Sequence, residues 1–197
     1  MINSNNIIPK AIQKWNTELT PHLENNISTK ELFKVCFKTT MDTQVQWLQY
    51  RIIHKFIPTK CYLKKINVIS DNLCSFCKGD VETIQHMFLY CPNILTLWSD
   101  LSLHIFRNTT KRIGFNIINV ILGEMPLSVH NKVVNFIILY TKQYIFYCSK
   151  QNKRPNINEL VHYLFFKYKV EKFVTIKSCG TSKFEKLWEN WKNIFDT

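Results

Sequence analysis

A chain of 197 residues, 46% hydrophobic and 14% aromatic, has enough apolar side chain for a sizeable core, which excludes intrinsic disorder. Its 4 glycines and 6 prolines are too few for a turn-rich all-β protein and favour helices. Lysine and arginine total 26 against 14 acids, a formal charge of +12, so the natural partner is a polyanion, set against a merely solubilising lysine-rich surface.

Residues 10–24 carry Ile12, Trp15 and Leu19 at helical spacing, and Pro21 limits that helix. Ser28 with Glu31 reads as a capping box opening a helix with Leu32, Phe33, Val35 and Phe37. Asp42 is placed to cap the next helix, where Val45, Leu48, Ile52 and Ile53 repeat at three- and four-residue steps. Pro58 ends it near Phe56 by biasing Ile57 away from the helical region. Thr59 then caps a short helix through Lys65.

Residues 70–82 read as a compact loop with a turn at Gly79 and Asp80. One or two helical turns follow over Thr83 to Tyr90, and Pro92 suits the first turn of a helix to about Phe106. Residues 107–127 form a connector holding a short apolar piece, Ile117 to Leu122. Ser128 starts a long helix to about Gln151. Its core, Val133 to Cys148, is interrupted by Asn135, Lys142 and Gln143, so it reads as a central buried helix and not as the run of about 18 apolar residues a membrane span requires. Asn156 with Glu159 opens a helix to about Phe173, residues 174–180 read as irregular or a short strand, and Thr181 caps a last helix to Phe195. The expected fold is mostly α, with an N-terminal helical segment (1–69), a zinc knuckle (70–98) and a C-terminal helical segment (99–197) in one compact domain.

The chain has 7 cysteines, and the opening MINSNNIIPK lacks the apolar core of a secretory signal. Clustered cysteines beside a histidine then point to a metal in a reducing, intracellular compartment, cytoplasmic or nuclear. The cluster is Cys74-x2-Cys77-x8-His86-x4-Cys91. Two residues between cysteines let a tight turn aim both thiolates at one ion, and His86 and Cys91 bracket a short helix that returns both to the same point. Three thiolates and an imidazole close a tetrahedron, select Zn²⁺ and leave no position for an activated water, so the metal is structural. The alternative for these four is ordinary buried thiols and a core histidine. Cys36, Cys61 and Cys148 read as buried thiols, Cys179 as an exposed loop thiol, and His22, His54, His104, His130 and His162 as structural.

The stretch Trp47 to Trp98 resembles the zinc-binding region that follows the polymerase in LINE-type (non-LTR) retrotransposon reverse transcriptases. The motif runs through Arg51 and Lys55, Pro58-Thr59, Leu63, Cys74 and Cys77, Glu82-Thr83, His86, Cys91 and Trp98. The resemblance implies an accessory nucleic-acid-binding element of a ribonucleoprotein that copies element RNA into chromosomal DNA, next to a polymerase domain. No Asp-Asp pair occurs in the sequence, so the polymerase aspartates are lacking, and no endonuclease constellation can be assembled; no enzyme is expected. Such a chain would be a C-terminal fragment, a truncated element copy or a host gene derived from one.

Basic residues distribute as two rich flanks around a neutral middle: 10 against 5 acids over 1–73, 4 against 4 over 74–125, and 12 against 5 over 126–197. Candidate phosphate contacts are Arg51, Lys55, Lys60, Lys64 and Lys65 beside the knuckle, Arg107, Lys111 and Arg112, and Lys150, Lys153 and Arg154. Tyr62, Phe76 and Tyr90 are candidates for stacking on unpaired bases, set against plain core packing. The expected partners are element RNA or target DNA and the upstream polymerase domain, without a membrane or a small-molecule substrate. The rival reading is a protein-interaction module with a purely structural zinc, in which Trp188 and Trp191 form an interface.

Overall fold

The computed structural model describes residues 10–19 and 29–195. The helices in chain order are α1 (Lys10–Leu19), α2 (Thr29–Thr39), α3 (Thr43–Ile53), α4 (Lys60–Lys65), a π-helical turn (His86–Tyr90), α5 (Pro92–Thr109), α6 (Ile117–Leu122), α7 (Val129–Lys150), α8 (Ile157–Cys179), α9 (Thr181–Trp188) and a closing 3-10 segment (Glu189–Phe195). Among the described residues there is no strand beyond one isolated antiparallel bridge, Leu73 with Val81, so the fold is mostly α as expected. No described helix is long and apolar enough to cross a membrane.

The architecture centres on α7, which packs against α2, α3, α6, α8, α9 and the π-turn. Every residue from Val133 to Ile145 is buried, because a helix covered on all sides has no face left for solvent. Most of the polar residues trapped in it are bonded, Thr141 excepted, whose buried hydroxyl has no partner. Asn135 clamps the chain after α6, its Oδ1 accepting from the Glu124 N–H at 2.6 Å and its Nδ2 donating to the Glu124 carbonyl at 2.9 Å. Lys142 donates to Gln49 Oε1 on α3 and lies 3.5 Å from the Ile121 carbonyl. Burial pushes its pKa from 10.5 down to about 7. A second network joins α7 to the α2–α3 link: Tyr140 donates to Glu171 at 3.0 Å, Thr40 donates to the same carboxylate, and Lys167 pairs with Asp42 at 2.8 Å.

Helix boundaries follow local chemistry. Asp42 Oδ1 caps α3 through the Gln44 and Val45 N–H groups, Thr59 caps α4, Ser128 caps α7 and Asn156 caps α8. The Ser28 cap and the extension of α1 past Leu19 lie outside the described residues. Two expectations are corrected. Residues 174–179 are neither strand nor irregular: α8 continues to Cys179, because no breaker precedes Gly180 and α9 folds back against it. Thr181 is the first residue of α9 and not its cap. Gly180, at φ +85°, makes the turn, and a residue without Cβ adopts that conformation freely.

One contiguous apolar core runs from Trp15 to Phe195. The tryptophans of the C-terminal segment belong to it: Trp188 and Trp191 are each 2% exposed, with Trp188 set edge-on to Phe136 at 5.1 Å. The rival reading that sets them in a protein interface does not fit this burial, since the last helix closes over α7 and α8.

Candidate metal centre and its basic surround

Four ligand atoms, one each from Cys74, Cys77, His86 and Cys91, lie within 4.8 Å of one another. The Cys74 and Cys91 sulfurs are 3.8 Å apart, and Cys77 Sγ is 3.4 Å from His86 Nε2. A tetrahedral zinc with bonds of about 2.3 Å to sulfur and 2.0–2.1 Å to nitrogen places neighbouring ligands roughly 3.5–3.8 Å apart, so these separations fit that ion. The donor set fits it as well, being soft, tetrahedral and closed.

Each ligand is aimed by an identifiable local feature. Between Cys74 and Cys77 the chain turns tightly enough for the Phe76 N–H to donate back to Cys74 Sγ at 3.4 Å, and the Lys78 N–H donates to the Cys74 carbonyl at 3.1 Å. The left-handed residue of this turn is Lys78, at φ +59°, one position before the expected glycine. On the other side, the Thr83 hydroxyl accepts the His86 N–H at 3.0 Å. The segment then widens into a π-turn closed by the Cys91 N–H donating to the His86 carbonyl at 2.9 Å. That five-residue hydrogen bond sets His86 and Cys91 at the two ends of one turn. Trp98 Nε1 donates to the Phe88 carbonyl at 2.8 Å and fixes the turn to α5, and Asn93 Nδ2 donates to the Phe76 carbonyl at 3.0 Å and fixes the cysteine loop to the same helix.

The two buried sulfurs share one proton unequally. The Cys91 thiol beside it and the N–H groups of the turn pull the Cys74 thiol down to about 5, while Cys74 and burial push Cys91 up. Zn²⁺ would draw all three thiols to thiolates, giving a site of net charge −1.

Glu82, 2% exposed, is the residue whose role spacing alone did not reveal. One carboxylate oxygen accepts the Ser75 N–H at 2.9 Å, inside the cysteine turn, and the other accepts the Lys60 N–H at 3.0 Å, in the first turn of α4. The Cys61 N–H adds a bond to the Glu82 carbonyl at 3.3 Å. Of the Glu-Thr and Pro-Thr pairs noted in the sequence, Glu82 staples the knuckle to α4, Thr83 orients His86 and Thr59 caps α4. A buried acid directly after a metal loop was the available signal.

The candidate cations fall into three situations. Lys64 and Lys65 are exposed at the C-terminal end of α4, as are Arg107, Lys150 and Arg154 elsewhere. Arg51 is half-buried, its Nε 3.4 Å from the Phe56 carbonyl, and Lys60 is half-buried. Others are engaged internally: Lys55 pairs with Glu18 and sits 4.0 Å over the Trp15 ring, Lys153 pairs with Glu159 at 2.7 Å, and Lys111 and Arg112 lie over Trp191 and Phe106 at 5.4 and 5.2 Å. Tyr62 and Tyr90 are 42% and 48% exposed and open to a partner, whereas Phe76 packs against the core. Cys36 and Cys148 are buried thiols as expected, but Cys61 is only half-buried. His104 is engaged within the fold, its Nε2 donating to the Ile194 carbonyl at 2.9 Å.

Residues 14–98, somewhat less than half of the chain, match the family described as zinc-binding in reverse transcriptase. No curated protein matches the chain. The match and the cluster agree on a zinc-binding region like that of reverse transcriptases, and the metal this donor set fits is zinc.

Proposed function

We propose that this chain is the accessory part of a LINE-type (non-LTR) retrotransposon reverse transcriptase, binding RNA or DNA while element RNA is copied into its chromosomal target. Cys74, Cys77, His86 and Cys91 hold the zinc, which has a structural role. The observation that carries this reading is the staple through Glu82, which ties the closed knuckle to the first turn of α4, the helix whose last turn bears Lys64 and Lys65. Phosphate contacts from such lysines are sequence-independent and strongly salt-dependent. The upstream polymerase would supply the chemistry, and this region would supply grip and position.

The test is filter binding of the zinc-loaded chain to RNA and DNA across a salt series. The logarithm of the affinity should fall linearly with the logarithm of salt. Lys64→Gln and Lys65→Gln should each reduce that slope by about one, while Lys55→Gln, a residue engaged with Glu18 and Trp15, should leave it unchanged. A flat salt dependence in the unaltered chain would overturn the proposal.

A further inference from the structure

The apolar face of α3 points its Val45, Leu48, Ile52 and Ile53 into the core, which leaves Trp47, Tyr50 and His54 on the other side. These rings do not scatter. Trp47 and Tyr50 stack at 5.2 Å with 5° between planes, Tyr50 and His54 follow at 4.2 Å, and His54 and Phe56 at 6.1 Å with 14°. Phe33 of α2, itself packed on the core, braces Tyr50 at 6.0 Å and His54 at 5.5 Å. Phe37, one helical turn on, lines an open groove of about 600 Å³ together with Trp47, Tyr50, Thr43, Gln44 and Gln46. The ends of the ladder face solvent: Trp47 is 60% exposed, Phe56 61% and Phe37 56%.

We infer that this ladder is a stacking platform for the unpaired bases of a single-stranded nucleic acid, an inference that rests on the nucleic-acid reading above and assigns it a second contact mode. Three features select that occupant. The ladder tilts by 39° between Tyr50 and His54, but its exposed end rings, Trp47 and Phe56, offer flat π-surface that suits planar bases of any sequence, whereas an aliphatic partner segment would want interdigitating holes. The flanking charge is complementary: Lys34 and Lys38 are exposed one position after Phe33 and Phe37, and Arg51 reaches the Phe56 carbonyl at the far end. The nearby acid, Asp42, is already occupied by Lys167 and by the α3 N–H groups. The groove-lining polar residues Thr43, Gln44 and Gln46 are uncharged. Finally, α3 leads directly through Pro58-Thr59 into the lysine-bearing α4, so a strand lying along the ladder would continue toward the phosphate contacts beside the knuckle.

Tryptophan emission provides a local reporter, because Trp15, Trp98, Trp188 and Trp191 are 0–3% exposed and Trp47 alone is open. The full zinc-loaded chain is titrated with single-stranded oligo(dT) and oligo(U) and, separately, with duplex DNA, following emission and anisotropy. Oligonucleotide should quench Trp47. Trp47→Ala and Phe56→Ala should each weaken single-strand binding roughly five- to 150-fold without changing the salt slope or duplex affinity, and Trp47→Phe should retain most of the affinity. Both side chains are exposed, so the folded state survives either change, as a thermal melt will verify. Unchanged single-strand affinity in the two alanine variants, with the unaltered chain still binding in a salt-dependent way, overturns the platform and leaves the phosphate-contact reading standing. No binding by the unaltered chain at low salt overturns both.

Discussion

The Glu82 carboxylate receives the Ser75 N–H at 2.9 Å, from a residue inside the turn that carries two of the metal ligands. The other oxygen of the same carboxylate is committed to Lys60 at 3.0 Å. A single buried side chain therefore orients a ligand loop and anchors a neighbouring helix. Glu82→Ala leaves two half-buried N–H groups without their partner, at up to about 1–3 kcal/mol each, and loosens the ligand loop. Zinc affinity should fall about 10–100-fold, the usual consequence of losing an outer-sphere partner, with Glu82→Gln milder because its oxygen still accepts one bond. Chelator competition measures this, and unaltered zinc affinity in Glu82→Ala would refute the role.

Metal removal should act on a bounded region. Cys74 and Cys91 are fully buried, and the π-turn between the knuckle and α5 touches α7. Withdrawing zinc leaves three buried or half-buried thiols with nothing to bring them together, and metal binding and local folding are coupled in such sites. Cys77→Ser or His86→Ala should abolish stoichiometric zinc and raise amide hydrogen exchange across residues 70–98, with far smaller change in α7 and α8. Retained zinc together with an unchanged exchange map in both variants would rule out the ligand set.

Lys142 offers a pH dependence whose sign is fixed by its burial. Its pKa in the folded chain lies near 7, below the 10.5 of an exposed lysine. Between these values the unfolded chain binds one more proton than the folded chain, so this residue's contribution to stability rises with pH from about 7 to 10.5. Below about 7 the folded state must hold a buried ammonium and the penalty is complete, on the order of a few kcal/mol at roughly 1.4 kcal/mol per pKa unit. Lys142→Met should flatten that rise. Denaturant melts of both chains at pH 6.5 and 9.5 give the difference, and parallel slopes would show that Lys142 stays charged in the fold.

Much of this was legible in the sequence wherever chemistry is local. Asp42, Thr59, Ser128 and Asn156 are short polar residues preceding apolar periodic runs, and each caps the helix it precedes. The metal cluster was legible because ligand spacing is a covalent constraint. What escaped depends on tertiary neighbours. The β-branched run Val174–Ile176 suggests extended chain, yet packing of α9 keeps it helical. Trp188 and Trp191 look like anchors for a partner until the closing helix is seen to fold over α7. The stacked rings on α3 were visible only as residues left over from the apolar face. Whether Lys55 faces a phosphate or Glu18 is decided by α1, which lies 37 residues away along the chain.

The π-turn at His86–Tyr90 sets a length requirement that no single side chain carries. Four residues separate the two ligands, and the wide turn brings His86 and Cys91 back to the ion only at that count. Deleting one of them would tighten the loop to ordinary α-helical pitch and swing a ligand around the axis by about 100°. The interval works as a caliper: its contents can drift while its gauge cannot.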